Sequence, residues 1–168
     1  MPLHYIAWRD TMARYNIDFT TERFYALGGM PSEKIIRLLC DEHGITGIDV
    51  DVVAEQKEVA FVDRIDQLKP KDDVCQIVRD HIGKLPLAVA SGGPRQSVFL
   101  QLSAIGLRDV FDSIVGAEDT DRHKPEPDVF LKAAKQIGVQ PSECLVYEDS
   151  PLGIQAAVAA GMDYIDVR

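Results

Sequence analysis

Cysteine is scarce in this chain, and the three present, Cys40, Cys75 and Cys144, are odd in number, widely spaced and form no C-x-x-C pair. That pattern speaks against a disulfide framework or a zinc site and fits buried, reduced thiols in a cytoplasmic protein. Long apolar runs are missing too. None approaches the ~18 residues of a membrane span, and the first residues carry no secretory-signal pattern. Positive charge is in deficit: 18 basic against 27 acidic residues leave a net charge of −9. Such a surface repels phosphate backbones, so nucleic acid is not an expected partner. A small anionic ligand would need a local cluster of positive groups.

What is present is ordinary globular composition, 46% hydrophobic and 27% charged over 168 residues, enough for one full core or a core with a small appended domain. The first part reads as helices only. Leu3, Ala7 and Met12, with Trp8 and Tyr15 alongside, predict an amphipathic helix that starts almost at residue 1. A second begins at Thr20-Thr21 and stops at Gly28-Gly29. Pro31-Ser32-Glu33 opens a third, which Gly44 ends. Asp51 is the expected cap of a fourth, running to about Leu68. Residues 1–68 are therefore expected to form a small all-helical domain.

Lys69-Pro70 marks a boundary, because the residue before proline is pushed out of helical geometry. Beyond it, residues 69–168 alternate. Strands are expected at Leu85 to Ala90, Ile114 to Ala117, Cys144 to Tyr147 and Tyr164 to Val167. Helices lie between them and end at glycines. Strand–helix alternation of this kind implies an α/β, Rossmann-like parallel sheet covered on both faces.

Three strands end in something polar. The first runs into Ser91-Gly92-Gly93-Pro94, where a hydroxyl and backbone N–H groups near a helix start could cradle an anion; a plain βα turn reads equally well. The second leads to His123-Lys124-Pro125-Glu126-Pro127. There two prolines stiffen the loop around the Lys124 ammonium, although a solvated lysine has the same signature and His123 reads as a loop histidine. The third ends in Glu148-Asp149-Ser150-Pro151. Two carboxylates at a strand's C-terminal end suit Mg²⁺, or cap the next helix. Together, a hydroxyl, an ammonium and a carboxylate pair at successive strand ends make up the equipment for phosphoryl transfer.

Ser91 after an apolar strand, His123-Lys124-Pro125-Glu126-Pro127, and Tyr147-Glu148-Asp149-Ser150 with Gly153 and Ala156-Ala157 resemble the haloacid dehalogenase superfamily, in its phosphatase and β-phosphoglucomutase branch. The resemblance covers essentially the whole chain. It implies that Ser91, Gly92 and Lys124 bind the transferred phosphoryl group, that Asp149 helps hold Mg²⁺, and that Glu148 sits beside the metal, orienting its water shell or a nearby group. It implies that the helical region is a cap over the active site. His4, Ser32 in the Gly29-Met30-Pro31-Ser32 turn, and Lys57 would then approach substrate or the active-site loop; alternatively, His4 satisfies a helix end and Lys57 is a surface lysine. The implied activity is a Mg²⁺-dependent phosphohydrolase of small phosphorylated metabolites, with fructose 1-phosphate the leading substrate. A β-phosphoglucomutase and a non-catalytic binding protein are the alternatives. A monomer or weak homodimer is expected.

One element of that family is missing from these 168 residues: the D-x-D-G-T motif after the first core strand, whose first aspartate is the nucleophile. Asp49-Val50-Asp51-Val52 has the spacing but follows no strand and lacks Gly-Thr. The resemblance begins at Met1-Pro2-Leu3-His4, just past the motif. The chain is therefore expected to lack the first, central strand, to be poorly stable, and to be inactive alone, with an apolar slot in its core and unpaired backbone groups on both sides of it.

Overall fold

Four helices come first. The computed structural model describes all of residues 1–168, and its first half contains α1 (Pro2–Ala13), α2 (Thr21–Ala26), α3 (Ser32–His43) and α4 (Val50–Val62). Leu3, Ala7, Trp8 and Met12 lie on the buried side of α1, at the spacing that places side chains one above another on a helix face. Trp8, Met12, Phe19, Phe24, Ile36 and Leu39 close into one core. Thr20 Oγ1 accepts from Arg23 N–H at 3.2 Å and starts α2. Gly44 ends α3 at φ +65°, a left-handed conformation that a Cβ disfavours.

The fourth helix differs from expectation at both ends. Asp49, not Asp51, is its cap: one carboxylate oxygen accepts from Asp51 N–H at 3.0 Å and Val52 N–H at 3.3 Å. Both acids satisfy the capping pattern in sequence, but only Asp49 lies ahead of the unpaired N–H groups of the first turn. The helix stops at Val62 and a separate 3-10 turn spans Ile65–Gln67. Arg64 donates to the Ala60 carbonyl at 2.6 Å, closing the chain over the helix end.

The second half alternates α5 (Asp72–His81), β1 (Ala88–Ala90), α6 (Arg95–Ala104), β2 (Ser113–Val115), α7 (Asp128–Ile137), β3 (Leu145–Glu148), α8 (Pro151–Ala159) and β4 (Asp163–Asp166). The order and the parallel pairing are those expected; β1 and β2 are shorter than expected, while β3 and β4 keep their length and are displaced by one residue. β1 pairs with β2, Ala90 opposite Val115, and β3 pairs with β4, Glu148 opposite Asp166. Helix α7 packs on β1 and β2, and α8 on β3 and β4, around Val115, Phe130, Ala156, Ala157 and Met162.

The two strand pairs do not join into one sheet. Between β1 and β3 lies a cavity of ≈ 520 Å³ with largely apolar walls that include Val89, Phe130, Ala134 and Val146. Each flanking strand is hydrogen-bonded along one edge only. This is why β1 is half-buried throughout and Leu145, which reads as a core residue, is 51% exposed.

Candidate active site

The C-terminal ends of β1 and β3 are tied together by one side chain. Lys124 Nζ donates to the carbonyl of Ala90, the last residue of β1, at 3.3 Å, and to Glu148 Oε2, on the last residue of β3, at 2.7 Å. The ammonium also lies 4.7 Å from the centre of the Phe130 ring. Both charged side chains are almost fully buried, so the pair is held where charge interactions are weakly screened.

The second oxygen of Glu148 is occupied as well. Oε1 accepts from Ser150 Oγ at 2.7 Å and from the Ser150 and Asp149 N–H groups at 3.0 and 3.2 Å. Ser150 in turn accepts from Gly153 N–H at 3.0 Å as the cap of α8. A Cβ on Gly153 would overlap the Glu148 carboxyl group. The glycine in the acidic motif therefore makes room for a carboxylate turned back onto the helix start. Glu148 has its oxygens engaged by protein donors, and what it orients is Lys124.

Asp149 is different. It lies half-buried beside a cavity of ≈ 1270 Å³ also lined by Met1, Tyr25, Lys69 and Arg168, and its carboxylate accepts from its own N–H and from no other residue. Burial first, and then the Glu148 charge, push its carboxyl above the usual range, against the opposing pull of the Met1 amine and Lys124. A carboxylate that no other residue engages, beside an open cavity, suits a hard divalent cation. No group of three His, Cys, Asp or Glu side chains could hold a metal by itself. Asp149 thus fits one position of a Mg²⁺ site whose remaining ligands would be phosphate oxygens, water or a further carboxylate.

Ser91 follows β1, and its N–H donates to the Val115 carbonyl at 2.9 Å. Its Oγ accepts from Gly93 N–H at 3.0 Å, which leaves the hydroxyl proton free for an incoming oxygen. The start of α6 is not free: both Glu118 oxygens accept from Arg95 N–H, at 3.0 and 3.1 Å, while the Arg95 guanidinium pairs with Asp119. The anion cradle expected there is therefore narrower than the sequence suggests. It reduces to Ser91, the adjoining glycines and Lys124.

The helical lobe closes over this cluster at Gly28-Gly29. A Cβ on Gly92 would overlap the Gly29 carbonyl, and one on Gly29 (φ +95°) would stand 3.1 Å from Lys124 Cδ and 3.2 Å from Ser150 Oγ. This backbone-to-backbone contact brings the lobe to Lys124. Ser32 is buried in the first turn of α3, with no side-chain bond to the cluster. His123 is half-buried in the loop before Lys124; burial, and then Lys34, lower its pKa. His4 and Lys57 gather elsewhere. Lys57 Nζ lies 2.7 Å from Glu58 Oε1 and 3.4 Å from His4 Nδ1, and both partners reach helix α6. Sequence reasoning passed over Glu58, Ser97 and Gln101, which complete that second cluster and have no local signature.

Comparison with known proteins bears on the family and the fold. A family model described as Haloacid dehalogenase-like hydrolase matches residues 2–167. The fructose-1-phosphate phosphatase YqaB of Escherichia coli is 37% identical over 168 residues, covering 99% of this chain and 88% of that protein. The β-phosphoglucomutase of Bacillus subtilis is 27% identical, covering 98% and 75%. Among solved structures, a β-phosphoglucomutase from Clostridium difficile superposes with a TM-score of 0.86 at 25% identity, covering 98% of this chain and 76% of the other.

Proposed function

The chain belongs to the haloacid dehalogenase-like hydrolases, and on that premise we propose that it carries the phosphate-binding half of a Mg²⁺-dependent phosphohydrolase of phosphorylated sugars, fructose 1-phosphate first among them. The observation that carries this reading is the buried Lys124–Glu148 pair, which spans the ends of β1 and β3 by way of the Ala90 carbonyl, with Ser91 next to Ala90 and Asp149 next to Glu148. Substrate choice draws on the 37% identity to a fructose-1-phosphate phosphatase.

Lys124 neutralises phosphoryl oxygens, and Glu148 keeps its ammonium aimed instead of leaving it to find its position on binding. Ser91 donates its free hydroxyl proton to a second phosphoryl oxygen. Asp149 would hold Mg²⁺, which when bound supplies charge neutralisation at the transferred group. The helical lobe acts as a cap, its Gly28-Gly29 backbone excluding water above Lys124.

The nucleophile is a carboxylate outside these 168 residues. The cavity between β1 and β3 takes one more parallel strand, and the first D-x-D-G-T aspartate after that strand attacks phosphorus as the bond from phosphorus to the sugar oxygen breaks. The sugar leaves as an alcohol with a proton from the second aspartate. Water, deprotonated by that same aspartate, then attacks the aspartyl-phosphate, releasing inorganic phosphate and the free carboxylate. Two features support that placement: the unpaired edges of β1 and β3, and the position of Lys124 across the mouth between them. The chain alone is inactive on this reading.

The likeness to a β-phosphoglucomutase fold at TM-score 0.86 favours a second reading, in which a sugar hydroxyl takes the phosphoryl group. Product analysis separates the two. The test uses the chain extended by an apolar strand and D-x-D-G-T, with fructose 1-phosphate and β-glucose 1-phosphate, with Mg²⁺ and with a chelator. Inorganic phosphate released only with the metal is the expected result. Isomerised sugar phosphate would replace the phosphatase with the mutase, and turnover untouched by the chelator would mean that the reaction needs no Mg²⁺.

A further inference from the structure

Away from Lys124 and Asp149, the helical lobe meets the α/β half through a second set of polar groups. Ser97 Oγ, on α6, donates to Glu58 Oε2, on α4, at 2.6 Å. His4 Nε2, on α1, lies 3.1 Å from Gln101 Oε1, also on α6. Gln101 Nε2 donates to the Ser97 carbonyl at 3.1 Å, which turns its Oε1 toward His4 as acceptor. His4 Nδ1 is then left to accept from Lys57 Nζ. The imidazole stacks flat on Phe61, centroids 3.9 Å apart at 3°, and its two nitrogens are thereby aimed at the two halves of the molecule.

We propose that the Glu58–Ser97 and His4–Gln101 hydrogen bonds are the clasp that fastens the helical lobe to α6, and that this clasp keeps the Lys57 ammonium buried. Lys57 is 4% exposed, between the Trp8 and Phe61 rings at 5.5 and 5.9 Å. Its two polar partners, Glu58 and His4, belong to its own lobe. Each of them is held in place by a residue of the other half. Released from Ser97 and Gln101, both would turn to water, and the lysine, with a long flexible stem and a strongly hydrated head, would follow. Because α6 begins directly after Ser91-Gly92-Gly93-Pro94, the clasp also fixes the lobe against the segment that carries Ser91. Ser97 and Gln101 are thus positioning residues for Lys57, acting through Glu58 and His4. This inference stands independently of the reaction assigned above.

The test is competitive acylation of lysines by acetic anhydride in the intact 168-residue chain, read by mass spectrometry of peptides. Ser97→Ala changes a residue that makes no bond to Lys57. It is expected to speed Lys57 labelling about tenfold, the loss of a hydrogen bond to a charged group, while Lys124 keeps its wild-type rate. Glu58→Ala combined with Ser97→Ala should label Lys57 no faster than Glu58→Ala alone. If Lys57 responds to Glu58→Ala but ignores Ser97→Ala, Lys57 and Glu58 form a pair local to the lobe and the clasp is refuted. If Lys57 and Lys124 accelerate together, Ser97→Ala has lost the fold. Gln101→Ala then decides: a rise confined to Lys57 upholds the clasp, and no rise overturns it.

Discussion

Lys124 and Glu148 form an ion pair, 2.7 Å apart and nearly out of solvent, that bridges the ends of two strands with no hydrogen bond between them. The carboxylate sits where Gly153 leaves room, fixed by three donors from the turn that follows β3. Its charge is therefore placed by the Asp149-Ser150 turn and the space at Gly153, and the lysine is placed by the charge.

Removing one member of such a pair leaves the other buried and uncompensated. Glu148→Ala should destabilise the chain by about 3–5 kcal/mol, read as a fall in the urea midpoint. A loss no larger than that of an exposed acid such as Glu126 would mean that Lys124 finds water or another partner.

Gly153→Ala adds a single methyl group inside the space of the Glu148 carboxyl. The carboxylate has to move, and overpacking of this kind costs about 1–3 kcal/mol. The same change at Gly106, where an added Cβ meets nothing but the backbone turns left-handed, costs backbone strain only and serves as the control. The distinguishing readout is Lys124 acylation, which should rise in Gly153→Ala and stay unchanged in Gly106→Ala.

His4 gives the acid limb its expected shape. Burial, and then the Lys57 ammonium, lower its pKa from 6.5 to about 3, against smaller raising effects from Gln101 and Glu58. The folded state thus refuses a proton that the unfolded chain accepts. Stability from this group is fully present above pH 6.5 and is lost as pH falls toward 3, at up to ~1.4 kcal/mol per pH unit. Urea unfolding across that window should show a shallower loss in His4→Gln than in the wild type. Parallel pH profiles would place a charged imidazole in the folded protein.

The legible parts of the fold were those with local causes. Gly44 announces the end of α3 because a left-handed residue is needed there, and Thr20 announces α2 through its own hydroxyl. Asp49 and Asp51 could not be told apart, since each stands before an apolar helix and only the backbone path decides which carboxylate meets unpaired N–H groups. Ser91, Lys124 and Asp149 could be singled out as strand-end residues. That Glu148 turns inward to hold Lys124, while Asp149 stays free, depends on the space at Gly153 and on an ion pair reaching 24 positions along the chain. The clasp was illegible for the same reason. Ser97 and Gln101 read as polar positions of an ordinary helix, and their partners lie 39 and 97 positions away.

On the proposed function, Ser91, Lys124 and Asp149 hold a phosphoryl group for a nucleophile delivered by one further strand between β1 and β3. The most direct measurement compares inorganic phosphate release from fructose 1-phosphate, with Mg²⁺, by the 168-residue chain and by the same chain preceded by an apolar strand ending in D-x-D-G-T. The expected result is turnover by the extended chain, its loss when the first aspartate is changed to asparagine, and none above background by the 168 residues alone. Equal turnover by the two chains would contradict it, as would an extended chain that folds with a completed sheet and releases no phosphate.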